Sequence, residues 1–121
     1  MMVSSEVSPW ARSGGLADVL AALPGALAER GYQVAVVVPR YMNAAEAPTS
    51  KIADSLPVPF GAGDIPVGVW AGAKEIGAGS VTNYFVENAA LFGPEGRGPG
   101  LYGNQHGDYP DNHIRFAIFS R

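Results

Sequence analysis

At 121 residues the chain is long enough for one domain with a real core and too short for two comfortable ones. A hydrophobic share of 47% against 16% charged argues against disorder along the whole length, and a net charge of −3 with only 8 Lys and Arg offers no basic stripe to a nucleic-acid backbone. The lack of cysteine removes disulfides, thiolate metal sites and cysteine nucleophiles, while no apolar run has the length of a membrane span or the layout of a signal peptide.

Met1 to Val7 is a short, mostly apolar opening that reads as a buried first strand, ended by Ser8-Pro9-Trp10 because Pro9 cannot donate to a ladder. Ser13-Gly14-Gly15-Leu16-Ala17-Asp18 then reads as a glycine turn entering a helix. Two glycines permit a tight turn and close approach of backbone N–H groups to a ligand, and the helix adds the positive end of its dipole. That is a place to hold a phosphate, although on spacing alone a plain strand-to-helix connection explains it equally. Leu16, Val19, Leu20, Leu23 and Leu27 recur at helical spacing and predict the buried face of a helix running to about Gly31, with Pro24 expected to kink or divide it.

Tyr32 to Val38 is β-branched and almost wholly apolar, the pattern of a strand buried on both faces. Strand, helix and strand in under forty residues predict a parallel βαβ unit with the glycine turn at the carboxyl end of its first strand, the edge where open α/β sheets bind ligands. Met42 to Ser50 reads as a surface loop. Three further strands are expected at Lys51 to Phe60, Ile65 to Ala71 and Val81 to Glu87, the first two as a hairpin and the last returning to the main sheet. Asn88 to Pro110 is rich in glycine, proline and polar groups and too long for a simple connection. Asp111 is placed to cap a helix from Asn112 to Arg121, with Ile114, Ala117 and Ile118 on one face and Phe116 and Phe119 beside it. That helix has no stop signal, so the sequence is expected to be part of something longer.

Several of these stretches carry a family likeness. Ser5-Glu6-Val7-Ser8-Pro9-Trp10-Ala11-Arg12-Ser13-Gly14-Gly15-Leu16-Ala17-Asp18-Val19, Ala22-Leu23-Pro24-Gly25-Ala26-Leu27, Arg30-Gly31-Tyr32-Gln33-Val34 and Val38-Pro39-Arg40-Tyr41 resemble the opening of bacterial glycogen synthases and plant or algal starch synthases. Leu101-Tyr102-Gly103, Asp108-Tyr109-Pro110-Asp111-Asn112 and Arg115-Phe116 resemble a second segment of the same family. Between these blocks only the strand pattern matches.

The resemblance implies an α/β, Rossmann-like fold with a mostly parallel sheet. Residues 1–121 would form the truncated N-terminal, acceptor-side domain of a two-domain GT-B glycosyltransferase. It implies transfer of glucose from ADP-glucose to the non-reducing end of an α-1,4-glucan with retention. The partners are then ADP-glucose, the glucan acceptor and a missing C-terminal nucleotide-binding domain, with no cofactor beyond the donor, no nucleic acid and no membrane. The family's Lys-Thr-Gly-Gly-Leu has Arg12 and Ser13 here, which keeps the charge but replaces a compact ammonium with a planar fork suited to a diphosphate.

Substrate-binding candidates on this basis are Arg12, Gly14, Gly15, Asp18 and Tyr102. The family's catalytic residues come from further along the chain, so none is expected here, and the isolated chain is expected to be inactive. Asp18 reads as a helix-capping acid or a contact to donor or sugar hydroxyls. Tyr102 and Trp10 read as sugar-stacking or packed loop aromatics. Asp111, Asn112 and Arg115 read as capping and ion-pair residues of the last helix. His106 and His113 lack metal-ligand spacing, and Asp108 with Asp111 makes a poor glycosidase pair. Two other readings stay open: a GT-B enzyme using another sugar nucleotide, and a non-catalytic glucan-binding or regulatory module. The compartment is expected to be a plastid for a plant or algal source and otherwise the bacterial cytoplasm.

Overall fold

The computed structural model describes residues 1–93 and 100–121. Among them, β1 (Met2–Val3), β2 (Gln33–Pro39), β3 (Ser50–Phe60), β4 (Gly63–Ile76) and β5 (Gly79–Glu87) form one sheet in the spatial order β1-β2-β5-β4-β3. The first three strands of that order run parallel, and β4 and β3 are antiparallel to their neighbours. The sheet is therefore mixed and not mostly parallel, and the reason lies in two turns. Gly61-Ala62 and Gly77-Ala78 join strands whose last and first residues pair directly, with positive φ at Gly61 and Gly77. A two-residue connection with a glycine at its first central position reverses the chain and can only make an antiparallel pair. Only the link from β1 to β2 is long enough to carry a helix across the sheet.

That helix, α1, spans Gly15–Glu29. It ends in a glycine-based cap: Gly31, at φ 90°, donates to Ala28 O at 2.8 Å and Tyr32 donates to Leu27 O at 3.2 Å. Pro24 does not divide it, and sits buried within one continuous element. The buried face differs from the one predicted. Ala17, Leu20, Pro24 and Ala28 face inward, while Leu16, Val19 and Leu23 are 47%, 51% and 44% exposed. Side-chain size decides this. A Cβ placed on Gly79 would lie 2.6 Å from Ala28 O and 2.3 Å from Tyr32 O, so the end of α1 lies almost on the backbone of β5. Only a small residue fits at Ala28 under such an approach; of the predicted face, Leu20 and Leu27 still pack against the core while Leu16, Val19 and Leu23 turn outward.

The first strand is also shorter than expected. One further bond, Ser4 N to Val37 O at 2.9 Å, extends the pairing, after which the chain turns back through reciprocal bonds between Val7 and Ala11. One core packs Val7, Leu20, Val34, Val36, Val38, Val81 and Phe85 between α1 and the sheet. Met42 to Ser50 is not a bare loop: Met42–Glu46 forms a 3-10 helix that places Ala44 in this core, with Ala47 beyond it.

A second cluster joins Ala11, Tyr41, Phe92 and Leu101 with the helices α2 (Ala89–Phe92) and α3 (Asn112–Phe119). Between them lies a small antiparallel pair, β6 (Gly103–Asn104) and β7 (Gly107–Asp108). The region Asn88 to Pro110 is thus partly built, with residues 94–99 outside the described residues.

The face of α3 also departs from expectation. Arg115 and Ile118 are buried, Ala117 is exposed and Ile114 is half-buried. Asp111 stands at the cap position without a side-chain capping bond. Arg115 is not a surface residue. At 1% exposure it donates from Nε to Leu91 O at 2.7 Å and from Nη1 to Leu101 O at 3.0 Å and Asn112 Oδ1 at 2.6 Å. It ties α2, the Leu101 segment and α3 together.

Replacing Gly79 with Ala should destabilise the protein by about 1–3 kcal/mol through overpacking, read as a lower midpoint in urea unfolding. Arg115→Lys keeps a charge but cannot span three acceptors, and should cost about 1–3 kcal/mol by leaving buried carbonyls unpaired. An Arg115→Lys midpoint equal to that of the unaltered protein would contradict this.

Candidate functional site

The carboxyl ends of β1, β2 and β5 open onto one edge, as parallel strands must. The chain leaving β1 forms the Val7 to Ala11 loop, then residues 12–14, then the first turn of α1. Ser8 N donates to Ala17 O at 3.2 Å and fastens the loop to that turn. The chain leaving β2 brings Arg40 and Tyr41, and the chain leaving β5 brings Asn88 and, later, Tyr102.

Beneath the glycine turn lies a group that sequence reasoning passed over. Glu6 is 5% exposed and both of its carboxylate oxygens are occupied. Oε2 accepts from the amides of Ser13 at 2.9 Å and Gly14 at 3.1 Å, and Oε1 accepts from Ser13 Oγ at 2.5 Å and Tyr102 Oη at 2.8 Å. Tyr102 Oη also lies 2.7 Å from Ser5 Oγ. Burial by itself raises the Glu6 carboxyl. The hydrogen bonds from Ser13, Tyr102 and Gly14 outweigh it and hold the group below its ordinary 4.5. Burial also pushes the Tyr102 phenol up, with Ser5 opposing and the Glu6 carboxylate adding to the rise. The available signal was a lone acid in an otherwise apolar opening, Met1 to Val7.

Arg12 and Asp18 come together across the turn, Nη2 to Oδ2 at 3.0 Å, with side chains 59% and 54% exposed. An exposed pair of this kind holds weakly and exchanges partners readily. Gly14 and Gly15 lie where the sequence put them, but not for the expected reason. Gly14 is extended at φ −159° and neither residue has a positive φ, so the turn itself does not need glycine. A Cβ on either would meet nothing within 4 Å among the described residues. Gly14 is also the N-cap and supplies no capping side chain to α1. The first turn of a fifteen-residue helix therefore faces open space without a side-chain cap, with a guanidinium beside it.

Tyr102 is joined to this turn through Glu6, and its own backbone is fixed. Its carbonyl accepts from Tyr109 N at 2.8 Å and Asn112 Nδ2 at 2.7 Å, and its ring lies 5.7 Å from that of Phe116. Trp10 packs edge-on against Phe85 at 5.6 Å, in the core. Asp108, His106 and His113 are exposed. Beside the site, Glu87 bridges Arg40 Nη1 at 2.6 Å and Lys51 Nζ at 3.0 Å, and Arg40 lies over the Trp70 ring at 3.9 Å. A cavity of about 160 Å³ is lined by Arg40, Tyr41, Glu87 and Asn88 at the same sheet edge.

No helix among the described residues is long and apolar enough to cross a membrane. A family model described as starch synthase catalytic domain matches residues 1–121. The chain is 42% identical over 123 residues to glycogen synthase 2 of Geobacter metallireducens, covering 100% of this chain and 24% of that protein. It is 43% identical over 123 residues to a glycogen synthase of Anaeromyxobacter dehalogenans, covering 100% of this chain and 23% of that one. In fold it is similar to the catalytic domain of starch synthase IV from Arabidopsis thaliana bound to ADP and acarbose. The TM-score is 0.70 at 23% identity, over 99% of this chain and 23% of that structure. The chain thus spans about a quarter of the length of the curated relatives it matches.

The lowered Glu6 carboxyl gives a pH dependence with a defined sign. A group whose folded value lies below its unfolded value contributes stability above the unfolded value, near 4.5, and loses it as pH falls through the folded value. The difference in thermal midpoint between the unaltered protein and Glu6→Gln should be full above the ordinary carboxylate value and close as the pH is lowered well below it. A gap that persists unchanged into acid would show that the ionised form is not what the four donors hold.

Proposed function

The chain belongs to the starch synthase catalytic domain family, and from that premise we propose that it forms one wall of the substrate cleft of a retaining glucosyltransferase. The whole protein moves glucose from ADP-glucose to the non-reducing end of an α-1,4-glucan. Its N-terminal domain contributes Arg12, the Gly14 and Gly15 turn, Asp18 and Tyr102 to substrate binding. The bacterial glycogen synthases among its relatives favour a bacterial setting and give no support to the plastid alternative.

The observation that carries this reading is the unfilled space over Gly14 and Gly15. Glycine costs a helix start conformational freedom, and here neither backbone angle nor packing among the described residues requires it. Close approach of a ligand does. The uncapped first turn of α1 offers N–H groups and a positive dipole end to an anion. Arg12, released from its exposed pair with Asp18, can turn its remaining donors to the same anion, stabilising the departing diphosphate as charge develops on it. Gly14 N is already given to Glu6, so the contribution of that residue is its lack of a side chain and that of Gly15 is both space and a donor.

Three measurements on the whole protein test the reading. Arg12→Ala should lower kcat/KM for the donor by at least about tenfold, the worth of one charge-assisted hydrogen bond, while leaving the thermal midpoint nearly unchanged. Gly15→Ala should leave or slightly raise stability and weaken donor use; equal donor kinetics would remove the ligand from that space. ADP-, UDP- and GDP-glucose compared side by side decide the nucleotide, which the glycine turn does not read. The 121-residue chain alone is expected to give no transfer, because orienting donor against acceptor needs both walls of a cleft.

A further inference from the structure

Within the cleft reading above, on which this inference rests, the structure assigns Glu6 as a positioning residue: its buried carboxylate sets the backbone of the glycine turn and couples that turn to Tyr102, so that two candidate substrate-binding loops move as one unit. The geometry is specific. Each oxygen takes two donors, Oε2 the amides of Ser13 and Gly14 and Oε1 the hydroxyls of Ser13 and Tyr102. The two amides point inward onto Glu6, while Arg12 beside them stays exposed to solvent. Tyr102 is 96 residues away in sequence and reaches the same oxygen as the Ser13 hydroxyl. It is itself anchored through Tyr109 and Asn112 to the start of α3, so displacement of either loop must break bonds at Glu6.

A carboxylate is the group that suits this position. It accepts at both oxygens and donates nothing, which matches two fixed N–H donors on one side. Glutamine keeps one such oxygen for the Ser13 and Gly14 amides and presents an NH₂ to two hydroxyls that can rotate to accept. It should therefore hold the turn but loosen the link to Tyr102. Alanine should lose both.

The experiment is kinetic, on the full-length enzyme, with ADP-glucose as donor and glycogen as acceptor. Glu6→Ala should raise the donor KM on the order of tenfold or more, as expected for a loop displaced from its binding geometry, with the glycogen KM within about twofold of the unaltered enzyme and Glu6→Gln in between. Tyr102→Phe should change donor kcat/KM in the native background and much less in the Glu6→Ala background, since the coupling runs through Glu6. Peptide-level hydrogen exchange should show faster exchange over residues 5–19 in Glu6→Ala and unchanged exchange over β5. Donor kinetics unaltered in Glu6→Ala overturn the assignment, as do strictly additive effects of the two substitutions. Equal loss toward donor and glycogen with faster exchange throughout the domain also overturns it, because that marks general unfolding. If the unaltered enzyme transfers from no nucleotide sugar, it is the cleft reading that falls, and the donor role of Glu6 falls with it.

Discussion

A carboxylate removed from water must be given hydrogen-bond donors by the protein, and the Glu6 carboxylate receives four, from three separate residues. Those donors come from the residues just before α1 and from a loop near the far end of the sequence. Bringing them together requires β1 to pair beside β2, the 7–11 turn to close, α1 to start at Gly15, and the Leu101 to Tyr109 segment to be anchored by Arg115. Each of these is a feature of the fold that would otherwise seem independent. A buried charge with all its acceptor capacity used tolerates little drift, because one lost donor leaves a cost that a neutral residue would not incur. The loops at this edge are held to a narrow geometry by that requirement.

The rest of the sheet serves this edge from a distance. Two glycine hairpins place β4 and β3 outside the parallel strands, away from the glycine turn, yet β4 contributes Trp70 and β3 contributes Lys51 to the cluster around Glu87 and Arg40 at the end of β2 and β5. Burial raises the Glu87 carboxyl, and Trp70, Lys51 and Arg40 around it bring it back below its ordinary range. A second, more solvated carboxylate thus braces the neighbouring loop. Glu6 is held by uncharged donors, whereas Glu87 has two cations beside Trp70, which makes the first sensitive to backbone placement and the second more sensitive to salt.

Period and turn chemistry made much of the fold legible. β2 is an apolar run entered from Gly31, β5 a β-branched and aromatic run entered from Gly79, the Lys51 to Ala71 hairpin carries its turn in Gly61-Ala62-Gly63, and the limits of α1 follow from Gly14 and Gly31. What failed did so where size or partner geometry overrides hydrophobicity. Leu16, Val19 and Leu23 of the apolar stripe are exposed while Ala17 and Ala28 are buried, and at Ala28 the reason is that Gly79 lets the helix come too close for a larger side chain. Arg115 reads as an ion-pair residue of the last helix, yet it is buried and bonds Leu91 and Leu101 of two other segments as well as Asn112 of its own helix. The hairpin expected of Lys51 to Phe60 and Ile65 to Ala71 forms, but the mostly parallel sheet that the family likeness implies does not, because the two-residue turns at Gly61-Ala62 and Gly77-Ala78 are too short for a parallel crossover. In the site, charge and glycine were readable at Arg12, Gly14, Gly15 and Asp18. Glu6 was not, since its partners are mainly backbone amides and a distant tyrosine, which no spacing rule connects.

The arginine where the family motif has lysine takes on a physical sense beside Asp18. A guanidinium carries about five N–H donors in a fixed plane, whereas an ammonium is a single compact charge. With Nη2 on Asp18, Arg12 keeps donors on its other nitrogens, so it can lean on the helix carboxylate and still present an edge to an anion above the glycines. A lysine ammonium, with its donors all on one atom, cannot present a planar pair of N–H groups to an anion while it holds Asp18. The pair therefore costs the site little: the exposed carboxylate orients the guanidinium along the mouth of the turn without consuming it. Nothing among the described residues fills the space over Gly14 and Gly15, Glu6 holds that turn through Ser13 and Gly14, and Arg12 beside it is exposed, which is the combination behind the anion we propose there.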